Sequence, residues 1–176
     1  MVDQSTALLR LGISFGLGFA LGFERELRGQ SAGLRTHILV CLGSCLFTLC
    51  SLFAEQPLDA TTPQEVRADI TRIASQVVVG IGFLGGGAIL RHGATIRGLT
   101  TAANLWLTAS VGLAVGLGVP VLALASVGLA LFALAGLRFL ERAIRRFRKK
   151  YGLVADRDLS SREPAGDGED SVRTRK

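Results

Sequence analysis

Between Asp69 and Glu141 this sequence has no acidic residue, and its only basic residues there are Arg72, Arg91, Arg97 and Arg138. So long an apolar stretch excludes an ordinary soluble domain. Cysteine is scarce: three, an odd number, supply no disulfide framework. No H-E-x-x-H, G-x-S-x-G or P-loop pattern occurs, which argues against an enzyme. Gly80-x-Gly82-x-x-Gly85 has the spacing of a dinucleotide-binding fingerprint. That motif needs an acidic residue about 20 positions later to hold the ribose, and none is there. Glycine is abundant, 22 of 176 residues, but without a three-residue period, so the chain is not collagen-like. What is present is apolar: 49% hydrophobic residues and a mean hydropathy of +0.42. Apolar runs of this kind exclude a disordered chain. The length suggests one domain, and the pattern points to an all-α, polytopic transmembrane bundle.

Five segments approach the roughly 20 apolar residues that a spanning helix needs. They are about Thr6–Phe23, Leu34–Ala54, Ala74–Leu90, Leu99–Gly116 and Val119–Phe139. The first is expected to be a retained span and not a signal peptide. Asp3 precedes it, no basic residue leads it, and it runs into Glu24-Arg25-Glu26. Most Lys and Arg residues then fall on one side: Arg25, Arg28 and Arg35, then Arg91 and Arg97, then the tail from Arg138. The positive-inside rule gives five helices with the N-terminus out and the C-terminus in. Residues 1–140 form the transmembrane domain. Residues 141–176 form a basic cytoplasmic juxtamembrane helix and a disordered tail.

In the outer loop, Thr62, Pro63 and Glu65 have the spacing of a helix start. Val66, Ile70, Ile73 and Val77 then share one face, so the third helix is expected to begin outside the lipid. Past the fifth span, Leu140, Ile144, Phe147 and Tyr151 form a stripe among Arg142, Arg145, Arg146, Arg148, Lys149 and Lys150. Such a helix suits an anionic inner leaflet, at about 1 kcal/mol per basic residue near the surface. It reads either as a stop-transfer anchor that fixes topology or as a dedicated lipid or partner site. No nucleic-acid partner is expected.

Gly80, Gly82, Gly85, Gly86 and Gly87 crowd into the third span. Each costs a helix about 1 kcal/mol relative to Ala. Two reasons for them stand open. One is close helix packing, for which Gly12/Gly16, Gly18/Gly22, Gly82/Gly86 and Gly112/Gly116 have the spacing. The other is a broken helix whose carbonyls line a site. A weak repeat joins Gly33-Leu34-Arg35-Thr36 to Gly98-Leu99-Thr100-Thr101, each opening a helix from the same side. Thr36, Thr100 or Thr101 could cap those helices. Two helix N-termini beside arginines would also attract an anion.

Glu24 and Glu26 meet Arg25, Arg28, Arg35 and Arg91 in one interfacial layer. That layer is either a clamp between the first and third loops or a cation site, since Mg²⁺ takes oxygen ligands. His37 is expected to form interfacial hydrogen bonds, and Asn104 to bond across helices. Trp106, Cys41, Cys45 and Cys50 read as packing residues. No cofactor is expected, with Mg²⁺ open as ligand or substrate.

The order Gly22-Phe23-Glu24-Arg25-Glu26, Ala32-Gly33-Leu34-Arg35-Thr36-His37, Gly80-Ile81-Gly82-Phe83-Leu84-Gly85-Gly86-Gly87, Arg97-Gly98-Leu99-Thr100-Thr101-Ala102-Ala103, Leu105-Trp106 and Gly112 closely resembles the MgtC/SapB family of bacterial inner-membrane proteins. The resemblance runs from about Leu8 to Leu140. It implies a five-span membrane domain linked to magnesium homeostasis, stress adaptation and virulence. It further implies a regulator that binds another membrane complex, such as the ATP synthase. A homo-oligomer is the other partner expected. The alternative is a magnesium transporter or channel using the glycine-rich third helix with Glu24 and Glu26. Longer relatives carry an ACT-like domain after the membrane part, for which Arg142 to Lys176 is too short. Thr100 and Leu107 stand where some relatives have Asn and Cys. The candidate functional residues are therefore Glu24, Arg25, Glu26, Arg35, Thr36, His37, Gly82, Gly85, Gly86, Arg91, Arg97, Thr100, Thr101 and Asn104. Of these, Glu24 and Glu26 are the candidate metal ligands.

Overall fold

A backbone in lipid must satisfy its own hydrogen bonds, so apolar runs fold as helices. The computed structural model describes residues 2–54, 70–93 and 95–150. Its helices are α1 Gln4–Leu27, α2 Leu34–Ala54, α3 Ile70–Gly87, α4 Leu99–Leu117 and α5 Pro120–Lys150. The expected all-α architecture of five helices is the one that forms. Four of them have a stretch long and apolar enough to cross a membrane: α1, α2, α4 and Pro120–Leu137 of α5. The chain is a multi-pass membrane protein.

The structure adds a short hairpin before α4, where a plain loop is expected. Strands β1 Leu90–His92 and β2 Thr95–Arg97 pair antiparallel, with Arg91 opposite Ile96. Gly93 supplies a positive φ of 59° in the turn, and Gly98 one of 90° where the chain enters α4. A side chain on Gly98 would also overlap the Ala88 carbonyl.

The chain divides into two units, Met1–Leu134 and Ala135–Lys176. In the first, α2 is the central helix. Glycines on both neighbours let it be approached at backbone distance. A Cβ on Gly18 would lie 2.9 Å from the Cys41 Cβ, and one on Gly22 would lie 2.8 Å from the Leu34 Cα. On α4, a Cβ on Gly112 would strike the Cys41 carbonyl, and one on Gly116 would lie 2.6 Å from the Thr48 Cβ. Apolar lipid gives little hydrophobic drive for helix association, so such close van der Waals contact takes its place. Cys41 and Cys45 are fully buried here, as packing residues should be. Cys50 and Trp106 are not: both face outward.

These contacts also set direction. Gly18 meets Cys41 and Gly22 meets Leu34, so α1 and α2 are antiparallel. Gly112 meets Cys41 and Gly116 meets Thr48, so α2 and α4 are parallel. The chain between them must therefore return across the bilayer, and α3 makes the return. Its apolar part, Ser75–Gly87, is only about 20 Å long at 1.5 Å per residue. The whole helix reaches about 27 Å. Thr62, Pro63, Glu65 and Val66, expected to start it, lie outside the described residues.

Two of the four glycine pairs hold helices together, and two do not. Among the described residues, nothing lies within 4 Å of a Cβ built on Gly12, Gly16, Gly82 or Gly86. Among the described residues, helix packing thus accounts for Gly18/Gly22 and Gly112/Gly116 and not for the other two pairs. The contrast predicts opposite outcomes in thermal unfolding in detergent. Gly112→Ala and Gly116→Ala should each cost about 1–3 kcal/mol through overpacking. Gly12→Ala and Gly16→Ala should be neutral or stabilising by up to about 1 kcal/mol. Equal losses in both pairs would refute the assignment.

Candidate functional site

Most of the candidate residues gather where α1 ends and α2 and α4 begin. The α1 terminus closes on Gly29 (φ 61°), with the Gln30 N–H bonded to the Arg25 carbonyl at 3.1 Å. The Arg25 side chain is only 2% exposed. Its Nη2 donates to Gln30 Oε1 at 2.6 Å, and its Nη1 lies 3.8 Å from Glu24 Oε2. Glu24 also pairs with Arg28 one turn on. A buried guanidinium has to be paired, and here the end of its own helix supplies the charge and the acceptors.

Glu26 does something different. Its Oε2 accepts the Leu34 N–H at 2.9 Å, at the first residue of α2. A carboxylate at a helix N-terminus satisfies an orphan donor and complements the dipole. Gly33 leaves the space: any side chain there would overlap the Glu26 carboxylate. Two expectations are thereby corrected. Glu24 and Glu26 do not clamp to Arg91, whose Nε instead donates to the Gly93 carbonyl at 3.0 Å. Thr36 does not cap α2, because it is the third helical residue and Glu26 already holds the terminus. Likewise α4 is entered through Gly98 with no side-chain cap. Thr100 and Thr101 sit within its first turn, Thr100 exposed and Thr101 buried.

The repeat nevertheless brings two polar side chains together. His37 is fully buried, and its Nδ1 lies 2.8 Å from the Gly33 carbonyl. A carbonyl only accepts, so Nδ1 carries the proton. Nε2 then accepts from Asn104 Nδ2 at 2.9 Å, across from α2 to α4. His37 is thus buried between α2 and α4 near the start of α2, and makes its hydrogen bonds inside the bundle. Thr108 donates to the Asn104 carbonyl at 2.7 Å and continues the polar seam.

Helix α3 is unbroken to Gly87. Its last carbonyls are used locally: the Ala88 N–H bonds Leu84 O at 3.1 Å and the Ile89 N–H bonds Gly86 O at 3.1 Å. The broken-helix alternative is therefore corrected, since no kink frees those carbonyls. Gly85 is buried against Ala102. Gly82 and Gly86 border an open groove of about 620 Å³ with Ala32, Thr36, Phe83 and Leu105. A second groove of about 730 Å³ lies further along between α2 and α3, lined by Val40, Ser44, Gln76 and Gly80. Arg35, Arg91 and Arg97 are exposed. Among the described residues, no three His, Cys, Asp or Glu side chains converge on one point.

Sequence reasoning passed over Arg10. It lies in the first span, and its Nη1 donates to the Gly116 carbonyl at 2.6 Å, at the C-terminal end of α4. A cation there complements the helix dipole. An ionisable residue inside an apolar run was the available indication.

The sequence profile of the MgtC family matches residues 11–143. The chain is 48% identical over 99 residues to YhiD of Escherichia coli, covering 56% of this chain and 45% of that protein. It is 44% identical over 111 residues to MgtC of Salmonella typhimurium, covering 63% and 43%. It is 44% identical over 117 residues to slr0014 of Synechocystis, covering 66% and 46%. The chain thus spans less than half the length of the curated relatives it matches. No solved structure matches it.

The His37–Asn104 bond can be tested by a double-mutant cycle in detergent unfolding. Asn104→Leu and His37→Leu each strand a buried polar group and should cost about 1–3 kcal/mol. Their combination should cost less than the sum by at least about 0.5 kcal/mol. Simple additivity would show that the contact contributes nothing.

Proposed function

This chain belongs to the MgtC family, and from that premise we propose that it is a non-enzymatic regulator that docks onto another complex of the bacterial inner membrane. Its setting is magnesium homeostasis and stress adaptation, including virulence. Its N-terminus lies outside and its C-terminus inside. The observation that carries this reading is the unused face of α3. Among the described residues, Gly82 and Gly86 have open space where a side chain would stand, and Phe83 beside them is 86% exposed. In the same chain, glycine pairs of this spacing on α1 and α4 receive a neighbouring helix at backbone distance. A partner helix seated along α3 would use the same device.

The name of YhiD gives magnesium transport as its provisional role, and transport is the competing reading for this chain. It would run along α3 with Glu24 and Glu26 at the inner mouth. Glu24 is ion-paired with Arg25 and Arg28, with neither of its buried oxygens hydrogen-bonded among the described residues, and Glu26 is engaged by the start of α2. Those bonds favour a structural role for them. The α3 carbonyls are likewise engaged within the helix.

Two measurements on the full chain separate the readings. Purified protein in liposomes should take up no more Mg²⁺ than empty liposomes, beside a working magnesium channel as control. Uptake abolished by Glu24→Gln/Glu26→Gln would establish a transporter instead. Gly86→Leu should remove a protein that co-purifies with the wild type from native membranes. The substitution enters open space, so the free energy of unfolding should be unchanged or raised by up to about 1 kcal/mol. Undiminished co-purification would show that α3 is not the docking face.

A further inference from the structure

Helix α5 continues to Lys150, well past the end of its span-length apolar stretch at Leu137. Between Arg138 and Lys150 lie seven Lys or Arg residues and one Glu. At 100° per residue, Leu140, Ile144 and Phe147 fall within an arc of about 60°. No basic position shares that arc. Leu140 is 53% exposed, Ile144 49% and Phe147 58%. This segment of the second unit therefore joins an exposed apolar stripe to a helix whose remaining positions are strongly cationic.

We propose that residues 138–150 are a binding surface for anionic phospholipid. On contact the helix bends away from the span past Leu137, so that the stripe seats at the boundary between headgroups and acyl chains and the flanking basic residues engage lipid phosphates. Charge complementarity selects this occupant. Two copies packed stripe to stripe would bring like charges together, with Glu141 as the one countercharge in the segment. An acidic leaflet, in contrast, meets every basic position with opposite charge. Position supports the same choice: Leu140 follows the apolar stretch by three residues, so the chain itself keeps the surface within reach of the bilayer. The inference does not depend on whether the protein regulates or transports.

The test uses the full chain in lipid nanodiscs. Cys50→Ser removes the exposed thiol, Cys41 and Cys45 being buried, and Ile144→Cys carries a nitroxide label. Its collision rates with oxygen and with a water-soluble nickel chelate report depth. In discs of phosphatidylcholine and phosphatidylglycerol, nickel accessibility should fall severalfold relative to phosphatidylcholine alone. Salt near 1 M should reverse the fall, because the Debye length shrinks to about 3 Å. Arg145→Gln/Arg146→Gln/Arg148→Gln/Lys149→Gln should abolish it. So should Leu140→Ser/Phe147→Ser, which keeps every charge. Equal accessibility in the two lipids would overturn the proposal. Spin–spin broadening that grows with the number of copies per disc would overturn it in favour of self-association.

Discussion

Everything in this bundle depends on how closely α1 and α4 approach α2. Four positions, Gly18, Gly22, Gly112 and Gly116, have no Cβ where one would collide with α2 atoms. Lipid competes with protein for every apolar surface, so bulk hydrophobicity decides little between helices. Contact at backbone distance is what a lipid tail cannot reproduce. The same approach permits the polar bonds between helices. Ser14 reaches the Cys41 carbonyl at 2.9 Å and Asn104 reaches His37 at 2.9 Å because the helices lie so near. Each of these groups would be costly if left unpaired in the interior.

The two ends of the bundle are finished by charge. At one, Arg10 of α1 caps the carbonyl end of α4. At the other, Glu26 caps the amide end of α2, while Arg25 is buried with Glu24 and Gln30 around it. The helix dipoles explain the signs: a cation at a C-terminus and an anion at an N-terminus. This arrangement changes the meaning of the charged layer that the sequence suggested. Glu24 and Glu26 are close in sequence but serve separate structural tasks. Arg35, Arg91 and Arg97 are exposed and take no part in these caps.

Much of the fold was legible because its causes are periodic. Apolar length predicted the helices, and the glycine spacings predicted which faces could pack. Spacing alone did not distinguish Gly112/Gly116 from Gly82/Gly86, since the difference lies in which helix stands opposite. Asn104 was legible as a polar residue in an apolar run, but its partner was not. His37 and Asn104 meet only because α2 and α4 are parallel and in register. The caps were misread for a local reason. Thr36, Thr100 and Thr101 have the right chemistry, but the helices begin at Leu34 and Leu99, so all three are already helical. The hairpin from Leu90 to Arg97 escaped because three-residue strands leave almost no periodic trace.

Residue 83 offers the most direct test of the claim that α3 presents a docking face. A photo-crosslinking benzoylphenylalanine placed there, beside Gly82 and Gly86, would be irradiated in native membranes and the adduct mass measured. A parallel sample would carry the same group at Leu129, which is 71% exposed on α5. The account predicts one discrete adduct with another membrane protein at position 83 and only lipid adducts at 129. Lipid adducts alone at both positions would contradict it, and would make the α3 glycine face a lipid-facing surface.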